Sequence, residues 1–253
     1  MKTLQLRNLT IGSGRAKVIA PIVAPTAEGI LAKAAAFCEL PIDLVEWRVD
    51  FFEGARHFDA VLEVLHSLRA ALGEKPVLFT FRTKKEGGEQ EIGTAEYTAL
   101  NKLAACSGSV DAIDVEIFLG DAVVVENIKN IHEAGVVVIG SNHDFSGTPD
   151  KDDLLYRLRK MQDMGADIPK IAVMPQSRAD VLTLLCATEE MYSKYADRPI
   201  ITMSMSGLGA VSRICGEVFG SSMTFGAVGQ VSAPGQIPIE RLNTVMNILH
   251  ESL

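Results

Sequence analysis

Lys170 stands at the centre of Asp167-Ile168-Pro169-Lys170-Ile171-Ala172-Val173-Met174-Pro175, a short apolar run bounded by prolines. The composition is that of a strand covered on both faces, with prolines at its ends, where a missing N–H is tolerated. Taking water away from an ammonium favours the neutral amine, and such an amine is a nucleophile able to form a Schiff base with a ketone or aldehyde. The competing expectation is that Pro169 starts the strand late and Lys170 snorkels to solvent from its end.

Lys170 is not the only polar residue at the end of an apolar run. Glu46, Arg48 and Asp50 alternate through Glu46-Trp47-Arg48-Val49-Asp50, and a period of two puts all three on one face of a strand. Phe79-Thr80-Phe81-Arg82 is followed by Glu86-Gly87-Gly88-Glu89, and Asp114 and Glu116 alternate in Asp111-Ala112-Ile113-Asp114-Val115-Glu116. Ser141-Asn142-His143-Asp144 closes a further run, and Met203-Ser204-Met205 precedes Arg213. His143 is the one histidine of five at such an end; His57, His66 and His132 fall in helical patterns and His250 lies near the C-terminus. An imidazole titrates near neutral pH, which suits general acid and base work. Each feature also has a structural reading. Glu46 and Arg48 can be an ion pair, Asp114 and Glu116 supporting charges, His143 a turn residue beside Asp144 and Thr148, and Met203 and Met205 an apolar wall.

The elements that must position these residues follow from periodicity. Residues 18–23, 44–49, 77–81, 112–117, 136–139, 168–174, 200–205 and 223–228 read as strands. Between them, apolar residues recur at helical spacing, as in Phe58, Val61, Leu62, Leu65 and Leu68, or Leu154, Leu155, Leu158 and Met161. Helix starts are expected at Thr94, at Thr148-Pro149 and at Ser177. Leu4-Gln5-Leu6 and Leu9-Thr10-Ile11, broken at Arg7-Asn8, read as a hairpin. Strand and helix alternating eight times in 253 residues implies a (β/α)8 TIM barrel, one α/β domain over residues 1–253, with the hairpin capping its bottom. No GxGxxG or Walker loop follows any strand, which removes the usual signature of an open doubly wound sheet. In a barrel, chemistry belongs at the C-terminal strand ends, where the charged residues fall.

Hydrophobic residues make up 47% of the chain and charged residues 22%, an ordinary globular balance. A net charge of −8 argues against nucleic acid or an anionic membrane as the main partner. Cys38, Cys106, Cys186 and Cys215 are widely spaced and suggest neither a zinc site nor a disulfide framework. No apolar run nears the ~18 residues a membrane span needs. The expected location is the cytoplasm.

Taken together, Glu46-Trp47-Arg48, Phe79-Thr80-Phe81-Arg82, Lys85-Glu86-Gly87-Gly88-Glu89, Asn142-His143-Asp144-Phe145, Pro169-Lys170-Ile171-Ala172, Met203-Ser204-Met205, Val211-Ser212-Arg213 and Ser232-Ala233-Pro234-Gly235-Gln236 closely resemble the type I 3-dehydroquinate dehydratases of the shikimate pathway. The resemblance runs in order over essentially the whole chain. It implies a cofactor-free, metal-free, cytoplasmic barrel, usually a homodimer, that converts 3-dehydroquinate to 3-dehydroshikimate on the route to chorismate and aromatic amino acids. It also implies the roles. Lys170 would form the imine, His143 would act as base and then acid, and Glu86 would orient His143. Arg213, with Gln236 and Ser232, would take the substrate carboxylate, and Glu46, Arg48 and Arg82 the ring hydroxyls. Met203, Met205 and Phe225 would pack on the ring, with Phe145 at the mouth.

Two positions depart from that resemblance. Pro21 stands where serine is common, and Ser206-Gly207-Leu208-Gly209 is glycine-rich where a lysine is expected. The loop at residues 229–238 reads as a lid from its Gly, Pro and Ser content. Three rivals remain at this level: a lysine-imine aldolase, a metal-dependent hydrolase built on His143, Asp144, Asp114 and Glu116, and a binding barrel without catalysis.

Overall fold

Short runs of β-branched and aromatic residues become parallel strands when helices cover one face and a closed interior covers the other. The computed structural model describes residues 2–229 and 232–253. Its elements run β1 (Leu4–Leu6), β2 (Leu9–Ile11), β3 (Lys17–Ile22), α1 (Ala27–Cys38), β4 (Leu44–Arg48), α2 (Phe58–Leu72), β5 (Val77–Thr80), α3 (Thr94–Cys106), β6 (Ala112–Glu116) and α4 (Asp121–Glu133). They continue with β7 (Val137–Asp144), α5 (Lys151–Asp163), β8 (Ile168–Val173), α6 (Arg178–Glu190), β9 (Ile201–Ser204), α7 (Ala210–Ile214), α8 (Gly216–Phe219), β10 (Met223–Ala227), β11 (Ile237–Pro238) and α9 (Ile239–His250).

Strands β3 to β10 are parallel and lie side by side in chain order, with β11 beside β10. This is the (β/α)8 barrel implied by the alternating runs, closed at a seam. Strands β9 and β10 meet through the single bridge Ile200–Ser221 and a 2.8 Å bond from the Ser222 N–H to the Ile200 carbonyl. Beyond it, the Ser221 hydroxyl takes the Thr202 N–H at 3.0 Å and the Ser212 hydroxyl takes the Ser204 N–H at 2.8 Å, so side chains replace the ladder.

Period two gives every strand an inner and an outer set. At the strand starts, the inner residues Ile19, Leu44, Leu78, Ala112, Ile139, Ile168, Ile201 and Met223 form one buried cluster with Leu6 and Ile11 of the hairpin. Each of these side chains larger than that of Ala112 contributes about 1.5–3 kcal/mol, and together they fill the barrel floor with hydrocarbon. The hairpin reaches them through a two-residue turn in which Arg7 takes a φ of 49°. The outer residues, among them Trp47, Phe79, Phe81, Val115 and Ile171, form a second cluster with Phe37, Leu65, Tyr97 and Leu158 of the helices. With the floor apolar, the polar inner residues collect at the opposite end.

Strand β7 runs to Asp144, well past the expected 136–139, because β6 and β8 ladder it on both sides and so hold polar residues in extended form. Helix α6 starts at Ser177 as expected, in a capping box with Asp180. Helix α5 is capped by Asp150, whose carboxylate takes the Asp153 N–H at 2.9 Å, while the Thr148 hydroxyl bonds the Met174 carbonyl instead. Thr94 is already helical; the cap position is Gly93, without a side-chain bond. Among the described residues, no helix is long and apolar enough to cross a membrane.

Candidate active site

Above the hydrocarbon floor, inner residues of β4, β7, β8, β9 and β10, with loop residues at the strand ends, line a cavity holding about 510 Å³ of empty space, part of it open to solvent. Its wall contains Lys170, His143 and Glu86; Glu46, Arg48 and Arg82; Met203, Met205, Arg213 and Phe225; and Phe145, Ser232 and Gln236 at the mouth. The β7–β8 register sets Ser141 beside Lys170 and His143 beside Ala172, so His143 sits one inner position above Lys170 on the adjacent strand.

Lys170 is 3% exposed and does not reach solvent. Its Nζ lies 3.0 Å from Asp114 Oδ2 and 4.7 Å from the centre of the Phe225 ring, so the ammonium has both a carboxylate and an aromatic face. Asp114 in turn accepts from Arg82 Nη2 at 2.8 Å and from the Ser141 hydroxyl. Burial alone would raise the Asp114 carboxyl, but Arg82 and Lys170 outweigh it and hold it at about 2. A carboxyl that ionises more easily folded than unfolded stabilises the fold fully above the ordinary aspartate range, and loses that contribution as pH falls through about 2. The shift corresponds to about 2 kcal/mol. Denaturant unfolding followed between pH 5 and pH 2 is expected to show this loss in the parent and not in Asp114→Asn.

Glu86 is placed by a 3-10 turn, Lys84–Glu86, that Gly87 ends at a φ of +85°. A Cβ on the next residue, Gly88, would stand 1.9 Å from the Arg82 carbonyl oxygen, so both glycines are required for the chain to turn back here. Glu86 Oε2 accepts the backbone N–H of His143 at 2.9 Å and lies 3.0 Å from His143 Nδ1, while Oε1 accepts from Asn142 Nδ2 at 3.1 Å. Because Oε2 already accepts one N–H, the facing Nδ1 is assigned the proton, leaving the Nε2 lone pair free. Burial first, then the positive charges of Arg82, Lys170 and Arg48, push His143 well below its usual range, so the ring is neutral. Burial and the negative charge of Glu116 push Glu86 up to about 7. At 3.0 Å the two groups are close enough for protonation of one to affect the other.

Arg213 enters from α7, through the part of the seam that no ladder fills, and is 1% exposed. Its Nη2 donates to the Pro234 carbonyl at 3.0 Å, Nη1 lies 3.8 Å from Met203 Sδ, and the buried Nε has no partner. Burial alone lowers it to about 10. Among the described residues no carboxylate pairs with it, whereas Arg48 and Arg82 are both paired. A nearly buried cation without an anion is costly, and the fold leaves this one facing the cavity.

The ion pair offered as the structural alternative for Glu46 and Arg48 does not form. Asp50, in the turn Val49–Phe51, folds back and takes Arg48 Nε and Nη2 at 2.8 Å and 2.7 Å, while Glu46 accepts only the Thr80 hydroxyl at 2.8 Å. Arg82 lines the cavity but spends its guanidinium on Asp114, Glu116 and Ser141. Gln236 exchanges bonds with Ser232, accepting its N–H and donating to its hydroxyl, both at 2.9 Å. The rest of the loop docks through Ser206 N–H to the Pro234 carbonyl at 3.2 Å and Arg48 Nη1 to the Ser232 carbonyl at 3.4 Å. Gln230 and Val231 of the expected lid lie outside the described residues. Pro21 is buried beside Glu46 and is not in the cavity wall; the β10–β3 ladder stops at Phe225–Ile19, which a residue without an N–H cannot extend. Sequence reasoning missed the small wall residues Gly87, Ala172 and Ala233, and the supporting Asn142, Ser141 and Tyr97. Only the alternation through Ser141-Asn142-His143 carried a usable signal.

A family model described as type I 3-dehydroquinase matches residues 18–253. A curated protein of Clostridioides difficile named 3-dehydroquinate dehydratase is 52% identical over 252 residues, covering 100% of this chain and 99% of its own. A protein of the same name from Salmonella paratyphi B is also 52% identical over 252 residues, covering 100% of both. Among solved structures, the Clostridium difficile type I 3-dehydroquinate dehydratase with covalently modified comenic acid superposes with a TM-score of 0.98 at 52% identity, covering 100% of both chains. The Geobacillus kaustophilus 3-dehydroquinate dehydratase superposes with a TM-score of 0.96 at 41% identity, covering 99% of this chain and 97% of its own.

Proposed function

The chain belongs to the type I 3-dehydroquinase family and is a hydro-lyase of the shikimate pathway, and we propose that it eliminates water from 3-dehydroquinate through an imine on Lys170. The observation that carries this reading is the placement of buried Lys170 and neutral His143 on adjacent strands of one cavity. Lys170 hands its ammonium proton to the neutral His143 ring and adds to the C3 ketone; that proton returns to the carbinolamine oxygen, which leaves as water, and the product is the protonated imine, an electron sink that acidifies the neighbouring C2–H. His143 Nε2 takes that proton, and the electron pair moves to the imine nitrogen as an enamine. The enamine then expels the C1 hydroxyl, which leaves as water with the proton held by His143. Water hydrolyses the unsaturated imine, releasing 3-dehydroshikimate and restoring Lys170, so the balance is one water lost. With its carboxyl held at about 2, Asp114 is a poor proton acceptor, and proton exchange falls to His143. Glu86 fixes the ring so that Nε2 faces the substrate.

The unpaired Arg213 is the seat of the substrate carboxylate, with Ser232 and Gln236 completing it, which favours a carboxylate substrate over the phosphate of an aldolase. Glu46 and Arg48 hold ring hydroxyls, and Arg82 acts by bracing Asp114 and Glu116. Met203, Met205, Phe225 and Phe145 form the apolar wall. Arg213→Gln is expected to lower kcat/KM by about 10²-fold or more, chiefly through KM. Because it removes an uncompensated buried charge, the same variant is expected to unfold no lower in temperature than the parent. A fall in Tm with an unchanged KM would contradict the carboxylate role. The activity itself is tested by the conjugated enone absorbance that appears when 3-dehydroquinate is dehydrated; no rise in absorbance would refute the reading. On the same reading the chain is one domain that works in the cytoplasm as a homodimer, and a single-chain mass by light scattering would remove the last point.

A further inference from the structure

Behind the cavity stands a carboxylate that is not part of its wall. Glu116 is 1% exposed and accepts three bonds: from Arg82 Nη1 at 2.8 Å, from the Thr83 N–H at 2.8 Å and from the Thr83 hydroxyl at 2.7 Å. Its backbone is held as firmly. The β5–β6 ladder ends at Phe79–Ile113, and past that point the hydroxyl of Tyr97 accepts the Glu116 N–H at 3.1 Å and donates to the Asp114 carbonyl at 3.2 Å. Tyr97 thus fills the gap between two strands that have parted, and the Arg82 side chain reaches the carboxylates of β6.

The consequence falls on Glu86. Arg82 Nη1 is 2.8 Å from Glu116 but 3.7 Å from Glu86 Oε2, beyond hydrogen-bond reach. The group most able to hold Glu86 ionised is therefore engaged by its neighbour. We propose that Glu116 is a positioning residue: by holding Arg82 off Glu86, it keeps the Glu86–His143 pair able to store the C2 proton until the leaving hydroxyl takes it. The proposal rests on the reading of His143 as base and acid given above.

The charged groups around Glu86 are Arg82 from the end of β5, Glu116 and Asp114 from β6, His143 from β7, Lys170 from β8 and Arg48 from β4, with Asp50 on the N–H groups of Arg82 and Glu89 that flank the turn and Lys84 and Lys85 in the turn itself. Of these, Glu116 is the carboxylate that raises Glu86, second only to burial, and Arg82 opposes it. Removing the Glu116 charge takes away a repulsion and frees Arg82 for Glu86. Both changes weaken the hold of the pair on a proton, and a weaker base takes the C2 proton more slowly.

The test is a pair of pH–rate profiles beside one spectroscopic titration. For Glu116→Gln, the acid limb of kcat/KM is expected to move down by about one pH unit, with plateau kcat reduced by about tenfold. Glu116→Asp keeps the charge and is expected to keep the limb in place. In the parent enzyme labelled with ¹³C at glutamate carboxyls, the Glu86 signal is expected to titrate near neutral pH. An equal loss of plateau rate in both variants with an unmoved limb would make Glu116 merely structural and overturn the proposal. If Glu116→Gln does not fold, a parent Glu86 that titrates in the ordinary carboxylate range overturns it instead. Borohydride trapping at Lys170 keeps the readings apart, since an adduct in Glu116→Gln upholds the imine whatever the limb does.

Discussion

Lys170→Ala is expected to lose turnover of 3-dehydroquinate by on the order of 10⁴- to 10⁶-fold, while still binding the substrate. On the proposed mechanism the loss is this large because the Lys170 amine forms the covalent electron sink; His143 can move protons but cannot make an imine. Binding should survive because Arg213, the proposed carboxylate seat, stands on α7 and bonds the loop at Pro234, away from β8. The fold should survive as well. Asp114 keeps Arg82 at 2.8 Å and the Ser141 hydroxyl after Lys170 is removed, so no buried carboxylate is left alone. Equilibrium dialysis with substrate and a progress curve at the enone absorbance test the two halves. Turnover within tenfold of the parent would dismiss Lys170 as the nucleophile.

The second large effect belongs to His143. His143→Ala is expected to lower kcat by about 10²- to 10⁴-fold, but to leave the amine in place. The variant should therefore accumulate a covalent adduct at Lys170 that cannot lose its C2 proton, and intact mass during slow turnover would detect it. The parent's pH profile carries the same chemistry. On the proposed mechanism the Glu86–His143 pair acts as a base only when it has not taken an extra proton, and Glu86 is pushed up to about 7. Activity should therefore fall as pH drops below about 7, by about tenfold per unit on the steep part of the limb. A profile flat from pH 8 to pH 5 would separate the pair from the rate-limiting proton transfer.

Much of the site was legible because the strand period is two. Glu46 and Arg48, Asp114 and Glu116, and Lys170 fall on inner faces by alternation alone, and the hydrocarbon beneath them follows from the same count. The roles of Arg213, Ser232 and Gln236 came with the family resemblance rather than from spacing. What stayed hidden was partnership. Arg82 meets Asp114 across 32 residues and Ser141 across 59, and nothing local says which charge will face which. Arg48 turned to Asp50 rather than Glu46 because a 3-10 turn, not a continued strand, follows it. Strand β7 was read too short because its last five residues, Gly140 to Asp144, have loop composition and are held extended by two neighbours. The seam between β9 and β10 was likewise invisible, since both runs read as ordinary strands. Hydroxyls of Ser212 and Ser221 hold that seam, and it is there that Arg213 gains its way in.

The measurement that bears most directly on the imine is intact mass of the protein incubated with 3-dehydroquinate and borohydride, followed by peptide mapping. The expected result is one added mass located at Lys170 in the parent and absent from Lys170→Ala. A parent that turns over substrate normally yet gives no adduct, or gives one at another residue, would contradict catalysis through Lys170.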